Sequence, residues 1–198
     1  MKSVLISIRP QWVEKITSRK KTIEVRKTAP KKVPFKAYIY CSYGNMKTNY
    51  YIKGRGKVIG EFVCDKVFLL HPYSYDGGNA DLERRKFIQT FEGPSKDIEI
   101  LSATCLSQNE MFDYIGEGNY GYGWHITDLK IYDKPKELRE FYTIPGGVSD
   151  CCCSCFWNET PLDEMPCRTC TRERKYLYRP PQSWQYVEEL KNGQKPAD

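Results

Sequence analysis

Several short apolar runs of this chain are rich in β-branched and aromatic side chains, which favour β-strands. These runs cover residues 4–8, 22–26, 37–41 and 57–68, and in 22–26 polar and apolar residues alternate with the period of two that is typical of a strand with one buried face. Early in the chain the stretch 11–18 has apolar residues at helical spacing instead, Trp12, Val13 and Ile16, and the proline before it can open a helix. The first third of the chain therefore predicts a mainly-β domain with a short helix packed beside it.

The next part of the chain mixes helix and strand signals. Apolar residues at helical spacing predict a helix over residues 81–91. Ser107, followed three residues later by Glu110, predicts a capping box and a shorter helix that ends before Gly116. Its expected buried face consists of Met111, Tyr114 and Ile115. Residues 120–132 then alternate well enough to be a strand. These elements extend the same α+β, mainly β, domain.

The segment RKKTIEVR brings three ionic side chains together where the first helix should give way to a strand. In a strand Glu24 and Arg26 share one face and Ile23 and Val25 share the other, while Lys21 precedes them at the turn. Two charged residues side by side on a strand suit the polar wall of a pocket, with the β-branched pair turned to the core. A solvated edge strand with an incidental ion pair is the alternative interpretation.

This segment resembles the GxKxxExR signature of ASCH domains, small β-barrels of the PUA-like superfamily. Lys21, Glu24 and Arg26, called the signature trio below, match its three ionic positions, and Arg19 stands where the family has its glycine. The resemblance follows the order of elements over roughly the first 140 residues, and it implies a PUA-like β-barrel with short flanking helices. Because glycine normally makes a tight turn at the first position, Arg19 puts the geometry of that turn in question.

The resemblance implies two kinds of function. One is a module that binds RNA or a nucleotide in a basic pocket. The other is hydrolysis, because family members include a hydrolase of acetylated cytidine and proteins described as ribonucleases, which use the signature lysine. For a hydrolase of RNA or a modified nucleoside, the catalytic residues would be Lys21, as a base with a lowered pKa, and Glu24. The acetylcytidine hydrolase has a threonine where Glu24 stands here, and a further glutamate with no identified counterpart.

Charge is distributed unevenly along the chain. Residues 1–60 hold 15 of the 31 lysines and arginines against two acids, a net +13, and the remainder holds 16 against 23, a net −7. A phosphate backbone is the commonest partner of such a basic half, although lysines scattered around a soluble surface give the same count. Besides the signature trio, the expected ligand-binding residues are Tyr43, Tyr50, Lys53 and Arg55 of the loop 42–56, and Trp124 of the strand 120–132.

Six of the nine cysteines cluster late in the chain, and their spacing indicates metal. Two CxxC pairs eleven residues apart present four thiolates, the arrangement that a structural Zn²⁺ site requires. The expected ligands are Cys152, Cys155, Cys167 and Cys170, with Cys151 or Cys153 as alternates. An iron–sulfur cluster would also be held by four cysteines, and a run of reduced thiols without metal is the third interpretation.

The chain is thus predicted to have four parts. The barrel domain, residues 1–145, is followed by a cysteine-rich zinc module, residues 146–172. In the third part, residues 173–190, a strand around Trp184 is expected to dock back on the barrel. The last part, residues 191–198, is polar and is expected to be disordered.

The sequence also predicts where the protein works and with what. Apolar runs stay well short of the ~20 residues that a membrane-spanning helix needs, so we expect a cytoplasmic protein without a membrane partner. Cysteines are reduced in that compartment, which favours metal over disulfides. Three kinds of function follow: an RNA- or nucleotide-binding module, a hydrolase of RNA or modified nucleosides, and an adaptor that binds a protein partner through the zinc module.

Overall fold

The computed structural model describes residues 1–44, 54–75, 85–143 and 175–189. These residues contain short strands, three α-helices and a 3₁₀ turn, and the elements are mostly brief. In chain order they are β1 (Ser3–Ile8), α1 (Pro10–Thr17), β2 (Ile23–Arg26), β3 (Phe35–Cys41), β4 (Val58–Cys64), β5 (Val67–Tyr75), β6 (Arg85–Gln89), α2 (Pro94–Ala103), α3 (Gln108–Ile115), β7 (Gly121–His125), β8 (Thr127–Lys136), the 3₁₀ turn (Leu138–Glu140), β9 (Phe141–Thr143), β10 (Lys175–Tyr176), β11 (Trp184–Tyr186) and β12 (Glu188–Glu189).

The larger sheet has five strands in the order β11-β1-β3-β4-β8. β1 runs parallel to β3, with α1 and β2 in the connection between them, and the other neighbours are antiparallel. Val4, Ile6 and Ile8 of β1 pack with Val13 and Ile16 of α1 in a first hydrophobic core. This packing buries the apolar stripe of α1 and fixes where the helix ends beside β2.

The second sheet has four strands in the order β2-β7-β5-β6, and α2 and α3 cover one of its faces. Ile23 and Val25 of β2 pack there with Leu70 of β5 and with Met111 and Phe112 of α3, forming a second core. The prediction that Ile23 and Val25 face the core is confirmed. The opposite face of this sheet carries the polar residues of β2.

A small third sheet, in the order β10-β9-β12, packs on the other side of the five-stranded sheet. Leu5 and Tyr38 contribute to this third core together with Phe141, Leu177 and Val187. β11 pairs antiparallel with β1. The end of the described chain is therefore joined to β1, close to the residues that precede α1.

The helix predicted from a capping box is confirmed. Ser107 Oγ accepts a hydrogen bond from the backbone N–H of Glu110 (3.2 Å), and Glu110 Oε2 accepts one from the backbone N–H of Ser107 (2.8 Å). α3 follows directly and ends at Gly116, whose φ of 91° favours glycine. Both ends of α3 are thus set by local residues.

The helix predicted over residues 81–91 is wrong where it is described, because Arg85–Gln89 is strand β6. β6 pairs antiparallel with β5, with Tyr73 opposite Phe87, and this long-range pairing overrides the helical spacing of its apolar residues. The predicted strands 57–68 and 120–132 each divide into two. α2 is a helix that the sequence pattern did not predict.

Two broader expectations have partial answers in the described residues. The fold is mainly β with three α-helices, but the strands there form three sheets and no closed barrel. Among the same residues no helix is long and apolar enough to cross a membrane.

Candidate functional site

The end of α1 places the signature trio. The backbone N–H of Arg19 donates to Ile16 O (2.9 Å) and that of Lys20 donates to Lys15 O (2.9 Å), which are the two hydrogen bonds of a Schellman motif. The C-cap of α1 is Ser18, and the motif needs a left-handed residue directly after it. Arg19 takes that conformation, with φ of 58°. Arg19 therefore stands at a helix-ending position that favours glycine, and it adopts the left-handed conformation with some strain.

Within the trio, Glu24 bridges two cations. Its Oε1 lies 3.0 Å from Arg26 Nη2, and its Oε2 lies 3.4 Å from Lys21 Nζ. Backbone carbonyls hold the cations from the other side: Lys21 Nζ donates to Thr104 O (2.6 Å), and Arg26 Nη2 donates to Ser7 O (2.6 Å). With two cations and one carboxylate, the trio carries an excess positive charge that suits an anionic or electron-rich ligand group.

All three side chains are buried, with exposed fractions of 2% for Lys21, 5% for Glu24 and 7% for Arg26. Burial disfavours the ammonium form and lowers the pKa of Lys21, an effect that the neighbouring Glu24 opposes. Glu24 Oε2 and Arg26 Nε form no hydrogen bond with any residue that the structure describes. Since buried polar atoms are normally satisfied, these two atoms are candidates to bind a ligand.

The trio lines a pocket of about 630 Å³, a size within the range of small-molecule sites. Arg9 and Trp12 line it from the start of α1, and Glu110, Asp113 and Tyr114 line it from α3. The segment 180–182 supplies a further part of the wall, held by a hydrogen bond from Ser7 Oγ to Pro181 O (2.6 Å). The pocket therefore combines cations, carboxylates and aromatic rings from three separate parts of the chain, and the segment 180–182 completes its wall.

Comparisons with known proteins bear on the fold. No protein-family model matches the chain, and no curated protein matches it. Among solved structures, the crystal structure of ASCH from Zymomonas mobilis is similar over 94% of this chain and 88% of that chain, with 16% sequence identity and a TM-score of 0.50. A Ser-to-Ala variant of that protein is similar over 94% and 89%, again with 16% identity and a TM-score of 0.50. This chain has the ASCH fold.

Trp124 does not have the place in this ASCH fold that we predicted. It is fully buried in the first core, where its ring packs edge-on against Phe35 at 4.9 Å and against Trp184 at 5.7 Å between centroids. An indole enclosed in this way has no face available for stacking on a base. Trp124 pairs with Glu24 in the β2–β7 ladder, and a tryptophan at such a position suits either a pocket wall or a core. The sequence alone does not show which of these two environments it occupies.

The predicted loop residues are only partly described. Tyr43 is exposed and Arg55 is half-buried, and neither belongs to the lining of this pocket. Tyr50 and Lys53 lie outside the described residues, as do the predicted metal ligands Cys152, Cys155, Cys167 and Cys170 and their alternates Cys151 and Cys153. Within the described ranges, no group of His, Cys, Asp and Glu side chains is arranged to hold a metal ion.

Sequence reasoning missed several residues of the pocket. Trp12 was assigned to the apolar face of α1, but its ring centroid lies 5.3 Å from Lys21 Nζ, in cation–π contact. Tyr114 was assigned to the buried face of α3, and it lies at the pocket instead, where burial raises its pKa and the Arg26 guanidinium opposes that rise. Glu110 was identified only as a capping residue. In each case the residue has a structural explanation that hides its position at the pocket.

Proposed function

We propose that this chain is an ASCH-type domain that binds RNA or a nucleotide in the pocket of the signature trio. The observation that carries this proposal is the buried trio at the wall of a pocket of about 630 Å³. Among the described residues, Arg26 Nε has no hydrogen-bond partner, and Glu24 Oε2 has no hydrogen bond beyond its ion pair with Lys21 Nζ at 3.4 Å. A purely structural ion cluster would be expected to satisfy its own hydrogen bonds. The basic first part of the chain supports an anionic ligand.

The chemistry of the pocket matches the parts of a nucleotide. Arg26 and Lys21 suit phosphate or a carbonyl on a base edge, because charge-assisted hydrogen bonds favour such acceptors. Glu24 Oε2 suits an exocyclic amine as donor. Trp12 and Tyr114 line the same cavity, and aromatic rings are the usual partners of unstacked bases.

Binding titrations with labelled single-stranded RNA, and competition by mononucleotides, test this proposal. Arg26→Ala is expected to weaken both ligands by about tenfold or more, since a hydrogen bond to a charged group contributes about 1.5–3 kcal/mol. Lys57→Ala is the matched control, because it also removes one cation from the basic residues 1–60. Lys57 is half-exposed, pairs with Glu137 and does not line the pocket.

Salt dependence adds a second readout. The slope of log affinity against log salt should be about −0.7 for each single-strand phosphate contacted. Absence of binding to several unrelated RNAs and to all four mononucleotides at low salt would show that the proposal is wrong. Equal effects of Arg26→Ala and Lys57→Ala would remove the pocket from the interface and leave only a diffuse basic surface.

A second candidate function, hydrolysis of RNA or a modified nucleoside, is favoured by the electrostatics of Lys21. A buried lysine with a lowered pKa has a larger fraction of neutral amine at physiological pH, and neutral amine can accept a proton from an attacking hydroxyl. Glu110 and Asp113 line the same pocket and supply carboxylates that were not identified from the sequence. The pKa of Glu110 is lowered by its hydrogen bonds with Ser107, which keeps it ionised.

Lys21→Arg separates binding from catalysis. Arginine keeps the positive charge but is never deprotonated near neutral pH, so binding should largely survive while turnover is lost. Product formation would be followed by the mass change of acylated nucleosides and by cleavage of labelled RNA. Wild-type activity should rise with pH toward an apparent pKa below 10.5, because the neutral amine is the active form. Activity that Lys21→Arg leaves intact would exclude Lys21 as the base.

The cysteine-rich segment is the subject of a separate proposal. We propose that Cys152, Cys155, Cys167 and Cys170 bind one structural Zn²⁺ and that the metal supplies the folding free energy of this segment. The support is the CxxC spacing, together with the small number of apolar residues between the two pairs. Cys151 and Cys153 are the alternates that single replacements would test.

A further inference from the structure

One face of the second sheet leads from the signature trio to a group of exposed aromatic rings. Residues opposite each other in an antiparallel ladder share a face, and the ladders place Arg26 opposite Tyr122 and Tyr122 opposite Leu69. Along β5, His71 and Tyr73 follow Leu69 on this face, since side chains two and four residues apart point the same way. The face that begins at the pocket therefore continues across β7 and β5.

The rings at the far end of this face lie nearly parallel to one another. The His71 ring lies 4.9 Å from Tyr120, with planes 29° apart, and 6.0 Å from Phe91, with planes 19° apart. Tyr73 lies 5.4 Å from Phe87 on β6, with planes 21° apart. These five residues are called the aromatic platform below.

The platform is exposed rather than buried. Tyr73, Phe91 and Tyr120 have exposed fractions of 41%, 56% and 49%. The second core lies on the opposite face, where Leu70 and Ile88, the sequence neighbours of platform residues, are buried. The rings are therefore not needed to cover the core, and clustered exposed aromatics of this kind mark interaction surfaces.

Phe91 is held in a conformation that a phenylalanine rarely adopts. Its φ of 66° is left-handed, which is strained for a bulky side chain. Thr90 beside it is buried and hydrogen-bonded to the Asp97 side chain, which helps to fix this turn. A strained backbone that presents a half-exposed ring to solvent is typical of a binding position.

We propose that the aromatic platform stacks the bases of a single-stranded RNA whose adjoining nucleotide occupies the pocket of the signature trio. The inference rests on the proposed function of that pocket and extends it to a substrate class, a single strand of several nucleotides. Tyr122 of β7 lies opposite Arg26, and Tyr120 comes just before this strand, two residues or about 7 Å away, so pocket and platform are close enough for one strand. We expect roughly two or three bases to stack on the exposed rings Tyr73, Phe91 and Tyr120, because a base stacks on a ring face whatever its identity.

Electrostatics separates the roles of the two surfaces. Among the described residues, Lys86, the sequence neighbour of Phe87, is paired with Asp113 at 2.7 Å. Lys66 is paired with Glu92, the sequence neighbour of Phe91, at 3.0 Å. The platform therefore contributes ring faces, whereas the pocket contributes the cations Lys21 and Arg26. Replacing a platform ring should lower RNA affinity without changing its salt slope, and replacing Arg26 should make the slope shallower.

The experiment is a length series, with a mononucleotide, a dinucleotide, a tetranucleotide and a hexanucleotide of RNA titrated onto the full chain. Affinity is expected to rise from the mononucleotide to the tetranucleotide. Tyr73→Ala and Phe91→Gly should each weaken tetranucleotide binding by about 5- to 100-fold and leave mononucleotide binding unchanged. Tyr178→Ala is the matched control, because Tyr178 is 72% exposed and lies outside the platform.

Phe91→Gly also distinguishes a binding role from a structural one. Glycine suits the left-handed backbone, so this variant should melt no lower than the parent although its RNA affinity falls. Mononucleotide binding that does not strengthen with length, or tetranucleotide binding that Tyr73→Ala and Phe91→Gly leave unchanged, would overturn the platform proposal alone. Absence of binding at every length would overturn the proposed function as well. A change in sedimentation behaviour without a change in RNA affinity would make the platform a protein interface.

Discussion

Glu24 is shared by two buried cations, and this sharing predicts unequal effects of truncating the trio. Glu24→Ala would leave Lys21 and Arg26 buried together without a carboxylate, and the free energy of unfolding should fall by about 3–5 kcal/mol. Lys21→Ala should have a smaller effect, because Glu24 keeps Arg26 at 3.0 Å. Urea unfolding measures both. Lys57→Ala is the control, since an exposed pair contributes about 0–1 kcal/mol.

The pH dependence of the same variants tests the burial of Lys21. The native state binds Lys21's proton more weakly than the unfolded chain does, so the native protein gains stability relative to Lys21→Ala as pH rises through the lowered pKa toward 10.5. Unfolding free energies at pH 7 and near pH 10 check the sign. At pH 7, a Lys21→Ala variant that loses more stability than Glu24→Ala would contradict the arrangement in which Lys21 and Arg26 share the Glu24 carboxylate.

For single residues, the sequence predicted which face of a strand a side chain occupies better than it predicted whether that side chain lies in the core or at the pocket. Strand alternation placed Glu24 and Arg26 on one face correctly, because that relation depends only on neighbouring residues. Trp124 was predicted at the ligand and lies in the core, whereas Trp12, predicted on the apolar face of α1, packs against the first core and also lines the pocket. Large aromatic side chains suit both environments, and which one they occupy is decided by elements distant in sequence.

At the scale of elements, the end of α1 predicts a stabilising substitution. Arg19 has φ of 58° in a Schellman motif, where glycine has no Cβ penalty. Arg19→Gly should raise the free energy of unfolding by up to about 1 kcal/mol, since the left-handed strain of about 1–2 kcal/mol exceeds the entropy lost by a more flexible unfolded chain. Arg19→Ala is the control and should give no gain. A less stable glycine variant would show that the arginine side chain contributes more than its strain.

The capping box of α3 predicts a pH-dependent effect. Ser107→Ala removes the N-cap and should lower the free energy of unfolding by about 0.5–2 kcal/mol at pH 7. Hydrogen bonds with Ser107 lower the pKa of Glu110, so the contribution of that carboxylate is present above 4.5 and is lost as pH falls through the lowered value. Thermal melts of wild type and variant at pH 7 and pH 3 should therefore differ less at pH 3. An equal difference at both pH values would mean that Glu110 takes no part in the cap.

The sequence predicted correctly a helix whose ends are set by nearby residues. It did not predict a strand that depends on pairing with a strand distant in sequence. α3 is specified by Ser107, Glu110 and Gly116, and all three act within one or two turns of the helix. β6 is a strand because β5 is available to pair with it, and its apolar residues taken alone fit helical spacing better. The division of residues 57–68 into β4 and β5 likewise follows from their separate partners in two sheets.

For the whole molecule, the pocket shows why the sequence predicted the signature trio but not the rest of the site. Its walls come from β1, the start of α1, β2, α3 and the segment 180–182, and only topology brings these parts together. The signature trio is contiguous and could therefore be read directly. Glu110, Tyr114 and Pro181 became pocket residues only when α3 and the strand β11 were placed against β1 and β2. The proposed ligand depends on this assembly, since the trio alone has no aromatic ring.

The cysteines provide a whole-molecule test of the zinc proposal. Burial raises the pKa of Cys41 to about 11 and that of Cys64 to about 12, so both thiols should resist alkylation at neutral pH, where the thiolate is the reactive form. Zinc should protect a further set until a chelator is added: Cys152, Cys155, Cys167 and Cys170.

Mass spectrometry of alkylated peptides, with and without chelator, should therefore show four chelator-dependent sites and two sites that stay protected in both samples. Elemental analysis should give about one zinc per chain. Cys41 and Cys64 serve as internal controls, because labelling of these two would mean that the fold itself had opened. Equal labelling of the CxxC cysteines in both samples, from protein without stoichiometric metal, would overturn the zinc proposal. Iron in place of zinc, with brown colour, would indicate a cluster on the same thiolates.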